Sequence, residues 1–94
     1  MAVRVMIPTP LRAYAGKQES VELQAATVAE ALAGLTSRFS ELKKHLYADD
    51  GRLRSFVNVY VNDEDIRYLQ NDQTRLHEGD TISIVPSIAG GALD

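Results

Sequence analysis

Cysteine is absent from the 94-residue chain. That excludes disulfide scaffolds, zinc fingers, iron–sulfur clusters and thiol nucleophiles. Tryptophan is absent too, and His45 and His77 are the only histidines. They form no His-x-x-x-His pair for a zinc site, and both imidazoles are read as solvated surface groups. Positive charge is not in excess: ten Lys+Arg against 13 Asp+Glu leave −3. A nucleic-acid binder would need a basic face to displace counterions. Long apolar runs are missing as well. Arg4, Pro8 and Arg12 break the first apolar residues before a signal-peptide core can form. The longest uncharged run, residues 81–93, contains Pro86 and a glycine pair and is too short to span a bilayer. A cytoplasmic protein away from membranes is the expectation. The chain does have an ordinary globular balance, 45% hydrophobic and 24% charged, and its length suits one domain.

Periodicity then locates the elements. Val3, Val5 and Ile7 alternate with Arg4 and Met6, which predicts a half-buried strand that Pro8 and Pro10 stop. After a turn at Gly16-Lys17, residues 20–24 alternate again with Val21 and Leu23 on one face. Two such runs this close predict an antiparallel hairpin. Thr27 with Glu30 matches a capping box. Behind it Val28, Ala31, Leu32, Leu35 and Phe39 form one helical stripe. Gly34 lies inside that helix. It either costs about 1 kcal/mol relative to alanine or permits a close approach to a sheet. Residues 40–47 add a turn or two of helix, and Asp49-Asp50-Gly51 is a turn.

Residues 56–62 are the clearest strand, with Val57, Val59 and Val61 on one face and Asn58, Tyr60 and Asn62 on the other. A turn at residues 62–65, a short strand over residues 66–69 and a turn at Glu78-Gly79-Asp80 follow. Residues 81–85 form the last strand, with Ile82 and Ile84 facing one way and Pro86 ending it. One main helix on one face of a mixed sheet of about five strands is an α+β arrangement. A ubiquitin-like β-grasp, with first and last strands parallel at the sheet centre, is the expected topology. Residues 1–86 are the expected domain and residues 87–94 a flexible C-terminal tail.

The body offers no catalytic constellation. There is no Gly-x-Ser-x-Gly elbow and no phosphate-binding glycine loop. A calcium loop starting at Asp49 would need Glu where Tyr60 stands. Asp63-Glu64-Asp65 reads as a solvated hairpin turn, with cation binding or a basic partner surface as the sharper alternative. Tyr60, on the polar-looking face of an apolar strand, marks either a partner-docking surface or a ring packed on its neighbours. No catalytic residue, metal or bound cofactor is expected in this chain.

The tail carries more information. Ser87-Ile88-Ala89-Gly90-Gly91-Ala92-Leu93-Asp94 has neither helical nor strand period. Without Cβ atoms, Gly90 and Gly91 can thread a channel too narrow for side chains. Residues 87–91 reach at most roughly 16–18 Å, enough to bring Gly91 into another protein's active site, with Ala89, Gly90 and Gly91 inside the channel.

With the tail, three segments complete a specific pattern: Ile7-Pro8-Thr9-Pro10-Leu11-Arg12, the strand-and-turn run from Phe56 to Arg67, and Glu78-Gly79-Asp80 followed by Ile82-Ser83-Ile84-Val85-Pro86. The whole chain resembles the ubiquitin-like sulfur carriers of the ThiS/MoaD family, most closely the carrier that feeds a dedicated cysteine synthase. The resemblance implies that Gly91 is the functional group. A ubiquitin-activating-type enzyme would use ATP to adenylate its carboxylate, and sulfur would displace AMP to give a thiocarboxylate. That nucleophile would attack an acceptor on a partner synthase, an aminoacrylate on a pyridoxal-phosphate enzyme in the cysteine branch. Family members mostly end at Gly-Gly, whereas Ala92-Leu93-Asp94 follow here. A JAMM-type zinc metalloprotease cutting between Gly91 and Ala92 would free the carboxylate. The competing readings are a protein modifier conjugated through Gly91, a sulfur donor for molybdopterin or secondary-metabolite thiolation, and an interaction module with an inert tail.

Overall fold

In the computed structural model, which describes residues 1–86, five strands form one mixed sheet in the order β2-β1-β5-β3-β4. Strands β1 (Ala2–Met6) and β2 (Ser20–Gln24) make the expected hairpin, with Val3 opposite Leu23 and Val5 opposite Val21. The last strand, β5 (Thr81–Pro86), runs parallel to β1 and antiparallel to β3 (Val57–Val61). First and last strands are thus parallel neighbours, as the β-grasp expectation requires.

Alternation works because each strand buries one face. Val3 and Val5, Val21 and Leu23, Val57, Val59 and Val61, and Ile82 and Ile84 all fall inside the core. Helix α1 (Val28–Arg38) covers that face with Val28, Ala31, Leu32 and Leu35. Its start is set by the predicted residues: Thr27 Oγ1 accepts the Glu30 N–H at 3.2 Å. The Glu30 carboxylate reaches back to the Ala26 N–H at 2.9 Å, one residue before the cap itself. At Gly34 an added Cβ would meet the Leu23 methyls at 4.0 Å, ordinary van der Waals contact. No close approach requires this glycine, which leaves the conformational cost.

Three segments differ from expectation. The helical stripe does not run through Phe39. Phe39 leaves helical geometry, with φ −124° and ψ 83°, and a separate helix α2 (Ser40–Leu46) follows it and buries Leu42 and Leu46. The stretch after Pro8 is a 3-10 helix, Thr9–Ala15, that buries Leu11 and Ala15 and ends on left-handed Gly16. Proline near a helix start loses no hydrogen bond, so Pro10 fits its first turn. Residues 66–69 form no strand. Strand β4 is only Glu64–Asp65, and Ile66–Tyr68 is a 3-10 turn. The apolar residues Ile66 and Leu69 are spaced i, i+3, which lines up in a 3-10 turn and not in a strand. Ile66 is buried and Leu69 packs on the core, while Tyr68 is 86% exposed.

Candidate functional site

Ala89, Gly90, Gly91 and the Gly91–Ala92 bond lie outside the described residues, so the structure places the root of the tail. Pro86 is the last residue of β5 and stands opposite Val57, the first residue of β3. Because β5 runs parallel to β1, the same end of the sheet holds the end of β1 and the start of the Thr9–Ala15 turn. The tail root therefore leaves the central strand of the sheet, paired with β3 at Val57 and three residues beyond the last β1 pair, Met6 with Ser83.

Tyr60 is half-buried on the sheet face away from α1. Its neighbours across the ladders are Ser83 on β5 and Asp65 on β4. Ser83 in turn stands opposite Met6 on β1. Met6 is 36% exposed and Val85, one pair further along β5, is 43% exposed. Met6, Tyr60 and Val85 thus form an apolar strip among small polar residues, running to the root of the tail. The sequence reading picked Tyr60 alone. Period-2 alternation also assigns Met6 and Val85 to the outer face, and that was the available signal for the other two.

The acidic turn is structural and lies elsewhere. Asn62 and Asp63 take left-handed backbone angles, φ 49° and 73°, the geometry of a two-residue hairpin turn. Asn62 Oδ1 accepts the Thr81 N–H at 3.0 Å, and its Nδ2 donates to Asp80 Oδ1 at 2.8 Å. These bonds tie the turn to the start of β5, the opposite end from Pro86. Asp65 is not a solvated turn residue: it is buried and gripped by Arg67, whose Nη2 donates to Oδ2 at 2.6 Å. The Arg67 side chain, helped by its backbone N–H, holds the Asp65 carboxyl below the usual carboxylate range. Burial opposes charge on Asp80, but hydrogen bonds from the His77 N–H and the Asn62 amide outweigh it and lower that carboxyl too. Burial, then the nearby Asp72 carboxylate, raise the Tyr47 hydroxyl.

The two histidines divide. His77 is exposed as expected, with Nδ1 3.7 Å from Asp80. His45 is half-buried instead, stacked on Tyr14 with ring centroids 4.2 Å apart, and its Nε2 is buried with no hydrogen-bond partner among the described residues. The spacing places it on the inner side of the two-turn helix α2, next to Leu46. Among the described residues no group of three His, Cys, Asp or Glu could hold a metal ion. What the arrangement offers is a rigid body, an apolar strip and a tail that begins beside it.

Comparison with known proteins identifies the family. The ThiS family model matches residues 5–91. The sulfur carrier protein CysO of Mycobacterium tuberculosis is 39% identical over 93 residues, covering 97% of this chain and all of that protein. A chain of the Amycolatopsis orientalis BexX/CysO complex superposes with a TM-score of 0.86 at 43% identity, covering 96% of this chain and 100% of that one. The small archaeal modifier SAMP1 of Haloferax volcanii superposes with a TM-score of 0.84 at 26% identity, covering 97% of this chain and 100% of that one. The chain belongs to the ThiS family, and like its CysO relatives it is a small sulfur carrier with the ubiquitin-like β-grasp fold rather than an enzyme.

Proposed function

We propose that this carrier holds sulfur as a thiocarboxylate on Gly91 after residues 92–94 are removed, and delivers it for the synthesis of cysteine or a related amino acid. The observation that supports this most directly is the span of the family match, which stops on Gly91 and leaves Ala92-Leu93-Asp94 outside it.

The chemistry follows from what a glycine carboxylate can do. With residues 92–94 attached, Gly91 has only an amide carbonyl. Hydrolysis of the Gly91–Ala92 bond by a JAMM-type protease, whose zinc activates the attacking water, would free the carboxylate. A carboxylate is a poor electrophile. An activating enzyme of the ubiquitin-activating type lets one carboxylate oxygen attack the α-phosphorus of ATP, and pyrophosphate leaves. A sulfide-level nucleophile then adds to the acyl carbon and AMP departs with the oxygen, leaving the thiocarboxylate. This group is ionised and nucleophilic at neutral pH, like a low-pKa thiolate. It attacks an electrophile held by a synthase, a pyridoxal-phosphate enzyme in the cysteine branch. The carrier binds no cofactor of its own; ATP and zinc belong to its partners. We place this cycle in the cytoplasm, where ATP is available, and no described helix is long and apolar enough to cross a membrane.

Docking of the body to a partner uses the Met6–Tyr60–Val85 strip; that a protein similar to this chain is found in a BexX/CysO complex supports docking to a partner but not a particular surface. Tyr60→Ala should leave the fold intact and weaken engagement with the activating enzyme roughly tenfold. Unchanged binding, measured by calorimetry, would assign Tyr60 to packing alone. The central test compares residues 1–91 with the full chain in ATP–pyrophosphate exchange. The trimmed chain should support exchange and the full chain should not, and exchange by the full chain would sink the role given to residues 92–94. The likeness to an archaeal modifier keeps one second reading, conjugation through Gly91 to lysine. Conjugates of higher mass, in place of a thiocarboxylate, would favour it.

A further inference from the structure

Beside Pro86 lies a groove of about 500 Å³ that the carrier chemistry does not use. Pro10, Leu11, Phe56 and Pro86 give it apolar walls, and Lys44 and Arg54 give it a cationic edge. Phe56 leaves 44% of its surface exposed. Arg54 is the informative member. Its Nε donates to the Lys44 carbonyl at 3.1 Å, which ties the half-buried Arg54 to the end of α2. Arg67 grips Asp65, whereas Arg54 has no carboxylate within ion-pair distance among the described residues. Lys44 meets Glu41 at 3.5 Å, but both ends of that pair are exposed and such pairs exchange easily. On a chain of net charge −3, this edge is a local inversion of sign.

A guanidinium tied at Nε, its other N–H groups without a hydrogen-bond partner among the described residues, matches a carboxylate, which it can bind through two parallel hydrogen bonds. The groove's position says whose carboxylate. A protein that draws Gly91 into its active site has that site within roughly 18 Å of Pro86, so its rim lies over the groove. Adenylation also brings a carboxylate up to a triphosphate, anion against anion, on a carrier that is itself acidic. Binding energy from a remote contact can offset that cost. We infer that the groove receives an acidic–apolar segment of the activating enzyme, an Asp or Glu carboxylate on Arg54 and a neighbouring apolar side chain against Phe56 and Leu11. This rests on the carrier reading above.

The test uses the trimmed chain (residues 1–91) with its purified activating enzyme, in ATP–pyrophosphate exchange. Arg54→Glu should raise the KM for the carrier at least tenfold and leave kcat within about twofold, the range expected for losing a charge-assisted pair. Arg75→Glu makes the same change of net charge at an exposed residue near the other end of the sheet, and should behave as wild type. Should Arg54→Glu fail to fold, Arg54→Gln removes the charge while its amide can still donate to the Lys44 carbonyl. The same KM for the Arg54 and Arg75 variants overturns the inference while leaving the carrier reading intact. No exchange by the wild-type trimmed chain sinks both. A concentration-dependent dimer that Arg54→Glu abolishes, with KM unchanged, would assign the groove to a second copy of this chain and overturn the inference as well.

Discussion

The Asp65 carboxylate is held by Arg67 and the Asp80 carboxylate by Asn62 and the His77 N–H, and their charge makes the fold sensitive to acid. Both carboxyls are held below their ordinary range in the folded state. Such groups contribute stability that is present above the unfolded-state pKa and lost as pH falls through the folded one. The thermal midpoint should therefore drop as pH falls below about 5. Asp80→Asn should narrow the gap between midpoints at neutral and acid pH, and an unchanged gap would exclude Asp80 as a source. Two further residues calibrate α1. Thr27→Ala removes the hydroxyl that caps Glu30 and should cost about 1 kcal/mol in denaturant unfolding. Gly34→Ala adds a methyl into contact distance of Leu23 without crowding and should stabilise by about 0.5–1 kcal/mol. A destabilised alanine variant would show that the helix needs the glycine after all. The Thr27 cap was legible because its two residues lie three apart. The Asp65–Arg67 grip was not, because an acidic run beside a turn looks the same whether its last residue is wet or buried.

Among the elements, β5 shows how one strand serves two purposes. Its alternate residues Ile82 and Ile84 are buried between α1 and the neighbouring strands, while Ser83 and Val85 fall on the outer face. Ile82→Ala should cost about 2–5 kcal/mol by the cavity it leaves at the sheet centre. Val85→Asp should change stability little and instead weaken engagement with the activating enzyme, because its side chain is 43% exposed beside the tail root. A large fall in melting temperature for the Val85 variant would assign that residue to the fold. Strands and the α1 stripe were legible because period 2 and period 3.6 each repeat over several residues in β3, β5 and α1. Short elements were not. Ile66 and Leu69 give one i, i+3 interval, which fits a 3-10 turn or the end of a strand, and only packing on the core decided it. The break at Phe39 was hidden for a related reason: two helices separated by one residue keep their apolar spacing, so the stripe reads on through the break.

Taken whole, the molecule separates holding from reacting. Residues 1–86 contain the entire described core, and among them neither a metal cluster nor a catalytic constellation is present. The reactive group assigned to Gly91 is five residues beyond the last strand. Fold and family were legible because the tail, the run from Phe56 to Arg67 and the run from Ile7 to Arg12 come from three separated parts of one chain and agree. Of the strip proposed for docking, the sequence reading singled out only Tyr60, since an exposed apolar patch is assembled across strands that are distant in sequence. The measurement that tests the central claim most directly is the intact mass of the protein recovered from its native cells. The account predicts a chain shortened by Ala-Leu-Asp, with a fraction in which one oxygen of Gly91 is replaced by sulfur. A full-length, sulfur-free mass under both sulfur-rich and sulfur-starved growth would contradict it.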